Sequence, residues 1–257
     1  MSDTPNPPVD IDYSTVTVPK SYRRSFLNML FLMLGFTFCS SSMMVGSRLG
    51  NGFDLYNFLL VILLGGLLLS LYTGMLGYIG AKTGYSLDLL CQRAFGRVCS
   101  YLPSSVIVIT QIGWFGVVLG LFSVPTAEVL GINPWWVVII GGGLMTASSY
   151  YGVKGLIIIS AISVPLVVLL GCYSVGAAAV EGGGLVEIFA KNSKGLSLMV
   201  GIDLVVASFV SGGTTTPNFT RYSRTPMGGL MVTVAAFLFG NSLMFIFGAA
   251  GGALTGK

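Results

Sequence analysis

Apolar residues run along this chain in long stretches, without the two-residue alternation of half-buried strands. Seven stretches reach the roughly 20 residues that a helix needs to cross a hydrocarbon core: 26–45, 56–80, 103–126, 134–152, 156–180, 198–217 and 228–254. Short polar segments separate them, among them Gly46-Ser47-Arg48-Leu49-Gly50-Asn51-Gly52, which predicts a loop between spans 1 and 2. Pro165 predicts a kink in span 5. Residues 1–24 are polar and carry Pro5, Pro7, Pro8 and Pro19, which predicts a flexible tail. They show no leader pattern, so the first apolar stretch is expected to be an internal span.

Two spans contain residues that a membrane helix does not favour. Span 1 carries Gly35 and the hydroxyls Ser40, Ser41 and Ser42, and span 6 carries Phe209-Val210-Ser211-Gly212-Gly213-Thr214-Thr215-Thr216-Pro217. Both are predicted to unwind, and backbone unwound at membrane depth is tolerated only where it lines a cavity or is buried in protein. If spans 1–5 form one repeat, the sixth opens the next, and the two interruptions occupy corresponding places. That is the sequence pointer to an inverted-repeat transporter.

Composition agrees with a bilayer. Hydrophobic residues make up 54% of the 257 and charged residues 9%, far below the ~25% of soluble domains. With the N-terminus inside, nine basic residues (Lys20, Arg23, Arg24, Lys82, Arg93, Arg97, Lys154, Arg221, Arg224) fall on the cytoplasmic side and four (Arg48, Lys191, Lys194, Lys257) outside. The positive-inside rule therefore predicts a cytoplasmic N-terminus. These cations are scattered, which reports orientation and excludes a nucleic-acid partner. With no His, imidazole bases and His metal ligands are absent, and an enzyme is not expected. Cys39, Cys91, Cys99 and Cys172 lack CxxC spacing and are predicted to be free thiols.

Candidate chemistry sits on the interrupted spans and on span 3. Gln111 and Trp114, three apart, share a helical face. An indole can stack on a flat heterocycle while the carboxamide bonds to its edge, although an interhelical hydrogen bond beside a packing Trp explains the pair equally. Phe209 and Ser211 lie at the span 6 interruption, where Phe209 can close on a planar ligand or simply pack. Carbonyls freed at Gly35 and Phe38 suit a hard cation; a glycine packing notch is the alternative. Asp203 is read as an interfacial acid that reaches water. Gly116 and Gly120 form a GxxxG read as generic helix packing. A retinal-type receptor is disfavoured because span 7 has no Lys before Lys257.

Four strings resemble the nucleobase:cation symporter family in its purine-cytosine permease-like branch: Met33-Leu34-Gly35-Phe36-Thr37-Phe38, Leu76-Gly77-Tyr78-Ile79-Gly80-Ala81-Lys82-Thr83-Gly84, Thr110-Gln111-Ile112-Gly113-Trp114-Phe115-Gly116, and Gly240-Asn241-Ser242-Leu243-Met244-Phe245-Ile246-Phe247-Gly248-Ala249-Ala250-Gly251. The resemblance runs from about residue 20 to 254. It implies an all-α, LeuT-like five-plus-five inverted repeat, with a first repeat over 25–182, an extracellular loop over 183–197 and the start of a second repeat over 198–257. It implies import of cytosine or a related nucleobase across a bacterial inner membrane by alternating access, with Na⁺ or H⁺ and no other cofactor. A purine, hydroxymethylpyrimidine or hydantoin is the alternative substrate. By resemblance, Gln111, Trp114, Phe209 and Ser211 hold the base, and the Gly35 and Phe38 carbonyls form half a cation site. Two departures stand out. Cys39 occupies the place of a second Phe, and the family has about twelve spans where this chain has seven, so a truncated form, inactive alone, is expected. The sequence leaves the oligomeric state open.

Overall fold

The computed structural model describes Tyr13 and residues 15–192 and 195–255, all helix and connection apart from one isolated bridge between Arg24 and Ser223. The first span is two helices, α1 (Phe26–Thr37) and α2 (Ser40–Gly52), bent by 57°. Phe38 leaves the helix at φ −79°, ψ 77°, and Cys39 is extended. Residues 46–52, expected as a loop, instead complete α2, because their glycines let that turn lie against a neighbouring span.

α3 (Leu55–Thr83) starts where the Asp54 carboxylate accepts from the Asn57 amide, and ends at Gly84, whose φ of 73° only glycine adopts readily. α4 (Leu87–Cys99) is a helix that the span pattern missed, capped by the Ser86 hydroxyl accepting from Leu89 N. α5 (Tyr101–Leu130), α6 (Pro134–Tyr150) and α7 (Gly152–Gly182) follow; Pro165 sits inside α7 without ending it. The expected 183–197 loop contains α8 (Leu185–Asn192).

The sixth span is three pieces, α9 (Leu198–Ala207), α10 (Val210–Thr214) and α11 (Thr216–Thr220). It breaks at Ser208-Phe209, where the expected interruption begins, because Phe209 takes φ −139°, ψ 1°; Gly212 and Gly213 remain helical in α10. The seventh span is α12 (Pro226–Ala235), a π turn over Ala236–Gly240, and α13 (Asn241–Thr255). α3, α5, α7 and Pro226–Gly252 are each long and apolar enough to cross a membrane, and the α1/α2 pair adds a fifth span. α6 has 17 residues, about 25 Å at 1.5 Å per residue, and the sixth span is too fragmented to pass alone.

Burial separates an inner bundle from an outer layer. The apolar windows of α3 and of the α12–α13 span are 44% and 50% buried, whereas that of α5 is 6% buried. α2 packs on α13 and α3 on α12 through small residues. A Cβ on Gly46 would strike the Phe245 backbone and one on Gly248 the Met43 backbone, so these helices touch main chain to main chain. Between them the Ser42 hydroxyl bonds the Asn241 side chain at 2.7 Å, fully buried. Gly116 and Gly120, by contrast, face nothing within 4 Å among the described residues, so the GxxxG of α5 packs no helix here.

The described part of the 1–24 segment is anchored at a few points, with residues 15–17 and 19–22 exposed between them, which corrects the flexible-tail expectation only where those anchors lie. Tyr13 and Val18 are 5% and 1% exposed. Val18 N donates to Gly84 O at 3.1 Å, Arg24 N to Tyr222 O at 2.6 Å, Arg23 Nη1 to Ala81 O at 2.8 Å and Arg221 Nη1 to Tyr13 O at 2.8 Å. The segment follows the ends of α3 and α11, whose late carbonyls would otherwise lack partners.

Candidate substrate cavity

The break in span 1 frees particular carbonyls. In a continuous helix the amides of Cys39 and Ser42 would bond Gly35 O and Phe38 O. Here Cys39 N donates to Thr37 O at 2.9 Å and Ser42 N to Cys39 O at 3.1 Å. Both predicted cation carbonyls are thus released at the C-terminal end of α1, where the helix dipole adds negative potential. Gly35 also lies directly against the Ser160 side chain of α7, so the notch and the freed carbonyl coexist. The donors gathered here are oxygens, which suits Na⁺; no cluster of three His, Cys, Asp or Glu exists among the described residues.

Beside this break lies a cavity of about 600 Å³, walled by α1, α2, α5, α6, α7 and the α9–α10 junction. Gln111, Trp114, Phe209 and Ser211 all line it. Trp114 Nε1 donates to Ser211 Oγ at 2.9 Å and ties α5 to α10. Neither alternative reading of span 3 therefore excludes the other: Trp114 makes an interhelical bond while its residue lines the cavity. Gln111 Nε2 is buried and has no partner among the described residues, and a buried donor without an acceptor costs about 1–3 kcal/mol. An acceptor on a bound molecule would relieve that cost.

Phe209 is 7% exposed and held by rings. Its centroid is 5.2 Å from Phe36 and 5.4 Å from Phe237, each pair near-perpendicular at 83°. Edge-to-face packing of this kind fixes ring orientation, so Phe209 forms a rigid wall. Sequence reasoning did not single out Ser148 and Ser149 of α6, which also line the cavity, as does Ser41 of the interrupted span 1. The adjacent hydroxyls in an otherwise apolar span 4 were the available signal. Cys39 faces the same space and its Sγ accepts from Ser41 Oγ at 3.1 Å. All four cysteines are free, as expected. Asp203 is exposed on α9 and is not part of the cavity wall.

Helices long and apolar enough to cross a membrane, with the α1/α2 and α9/α10 breaks beside one partly polar cavity, are the architecture that the inverted-repeat expectation describes. The chain belongs to the family described as permease for cytosine/purines, uracil, thiamine, allantoin, which matches residues 17–257. It is 43% identical over 248 residues to the cytosine permease of Escherichia coli strain K12, and equally so to that of E. coli O157:H7. The match covers 96% of this chain and 59% of those permeases, so the chain spans less than two thirds of their length.

Among solved structures it resembles Mhp1, a nucleobase-cation-symport-1 family transporter, in a closed conformation with bromovinylhydantoin bound. The TM-score is 0.81 at 15% identity, covering 93% of this chain and 57% of that one. The inward-facing conformation of Mhp1 gives 0.76 at 14%, covering 94% and 56%. The fold is therefore the LeuT-like one that the resemblance implied, and the protein is a multi-pass membrane protein.

Proposed function

We propose that this chain forms the substrate-binding part of a secondary transporter that imports cytosine or a related nucleobase with a cation by alternating access. The observation that carries this reading is the convergence of Gln111, Trp114, Phe209 and Ser211 on one cavity between two helix breaks. Trp114 supplies a stacking face and Phe209 the opposing wall. The Gln111 carboxamide, with a donor and an acceptor, matches the base edge, and Ser211 holds the indole in place. The Gly35 and Phe38 carbonyls hold one side of a Na⁺ site, so the cation neutralises the C-terminal end of α1 beside the cavity. The basic-residue asymmetry supports a cytoplasmic N-terminus, and the likeness to bacterial permeases supports a place in the inner membrane.

Uptake of radiolabelled cytosine tests the reading, in cells that lack cytosine transport of their own and express the gene product carrying this chain. Saturable uptake should be competed by cytosine and lost in Trp114→Ala. Unchanged uptake in that variant, at equal membrane abundance, would reject the site. Competition by purines, hydroxymethylpyrimidine and hydantoins ranks the substrate alternatives; Cys39, smaller than an aromatic, leaves room beside the ring. Uptake indifferent both to Na⁺ removal and to proton uncouplers would remove the cation from the mechanism.

A further inference from the structure

A second cavity, of about 370 Å³, adjoins the first. It lies between the start of α4, the first half of α5 and the α10–α11 junction, towards the end of the bundle where Val18 bonds Gly84. Gln111 and Phe115 line both spaces. The wall is mixed in the way a planar polar ring requires, with Phe115 and Ile112 offering apolar faces and Asp88 and Thr215 polar edges. Its frame is tied together, since Leu87 N donates to Asn218 Oδ1 at 2.8 Å and fixes the first turn of α4, which carries Asp88, against α11. Asp88 makes no hydrogen bond or ion pair among the described residues.

We propose that this smaller cavity is a second station for the same heterocycle, with Gln111 shared between the two and the Asp88 carboxylate accepting ring N–H or exocyclic amine donors. A base leaving the central cavity keeps one edge on the Gln111 carboxamide while its other edge exchanges central-site contacts for Asp88. The ligand never passes through an unpartnered state, and the buried Gln111 Nε2 has an acceptor at both positions. A carboxylate is acceptor-only when ionised, so the station prefers bases with N–H donors on the edge facing α4. The inference rests on the transport reading above and deepens it.

The test places a thiol in the second cavity alone. Ser104→Cys and, independently, Ile107→Cys line that space and not the first. Each is made in the gene product that carries this chain, in membrane vesicles, and labelled with a permeant maleimide, with site occupancy read by mass spectrometry. With cytosine at about ten times its dissociation constant, labelling should slow about tenfold, following the 1 + [L]/Kd factor. Protection should persist in Trp114→Ala, where central stacking is gone, and disappear in Asp88→Asn. Cytosine protection that survives Asp88→Asn, or that vanishes in Trp114→Ala, overturns the second station. So does an introduced thiol that never reacts in vesicles competent for uptake. Failure of the transport reading shows separately, as wild-type vesicles without any cytosine uptake.

Discussion

Trp114 and Ser211, 97 positions apart in the chain, meet through a 2.9 Å hydrogen bond from indole to hydroxyl. That bond joins the third span to the broken sixth and sets the orientation of the largest aromatic surface in the central cavity.

Removing the ring and removing its tether should therefore differ. Trp114→Ala should weaken cytosine binding by about 1–3 kcal/mol, the stacking contribution per ring, which is roughly 5- to 150-fold in Kd. Ser211→Ala should cost about 0.5–1.5 kcal/mol, a single neutral hydrogen bond. Equilibrium binding of labelled cytosine to the purified protein reads both, and equal losses would deny the ring its leading part.

The α2–α13 contact predicts a contrast between glycines. Gly248→Val drives a side chain into the Met43 backbone, which has no rotamer to move away, and overpacking of this kind costs about 1–3 kcal/mol or more. Gly113→Val has open space and should leave the melting temperature in detergent within about 1 °C, a shift corresponding to well under 1 kcal/mol.

Ser42 and Asn241 should behave as a coupled pair. Asn241→Leu strands the buried Ser42 hydroxyl and should destabilise the protein by about 1–3 kcal/mol, whereas adding Ser42→Ala should recover part of that loss. Thermal unfolding of the two single variants and the double variant closes the cycle; strict additivity would mean that the bond contributes nothing of its own.

Arg221, 6% exposed, holds the N-terminal segment by its bond to Tyr13 O. A hydrogen bond to a charged donor is worth about 1.5–3 kcal/mol, so Arg221→Ala should raise cleavage of residues 15–24 by at least about tenfold in limited proteolysis, where the rate follows the open population. The same digestion rate as wild type would show that the segment is held elsewhere.

The Cys91 thiol on α4 is pushed above its ordinary range, first by burial and second by the neighbouring Asp88 carboxylate. Thiolate is the reactive form, so the alkylation rate of Cys91 should rise only at higher pH than for a free thiol. Asp88→Asn removes the repelling charge, stabilises the thiolate and should move that profile to lower pH. A profile that does not move in that direction would place Asp88 too far away to act.

Much of the architecture is local and therefore legible in residue order. Long apolar runs predict spans because the bilayer demands length, and hydroxyls with glycine at Gly35–Ser42 and Ser211–Gly213 predict interruptions because they weaken the ladder. α4 escaped this reading because it is short and amphipathic, with only Ser86 and Asp88 to mark its start. The 46–52 segment misled for a related reason. Its glycines signal a turn when read alone, but against Phe245 and Ala249 they signal close packing.

The sequence by itself determined that the chain lies in a membrane and where its helical ladders fail, since hydropathy and backbone propensity act within a few residues. Only the tertiary structure decided which side chains share a cavity, that Gln111 Nε2 has no partner among the described residues, and that Tyr13 and Val18 are buried. Those outcomes depend on contacts between segments up to 208 positions apart, whose geometry is set by helix packing rather than by any local preference.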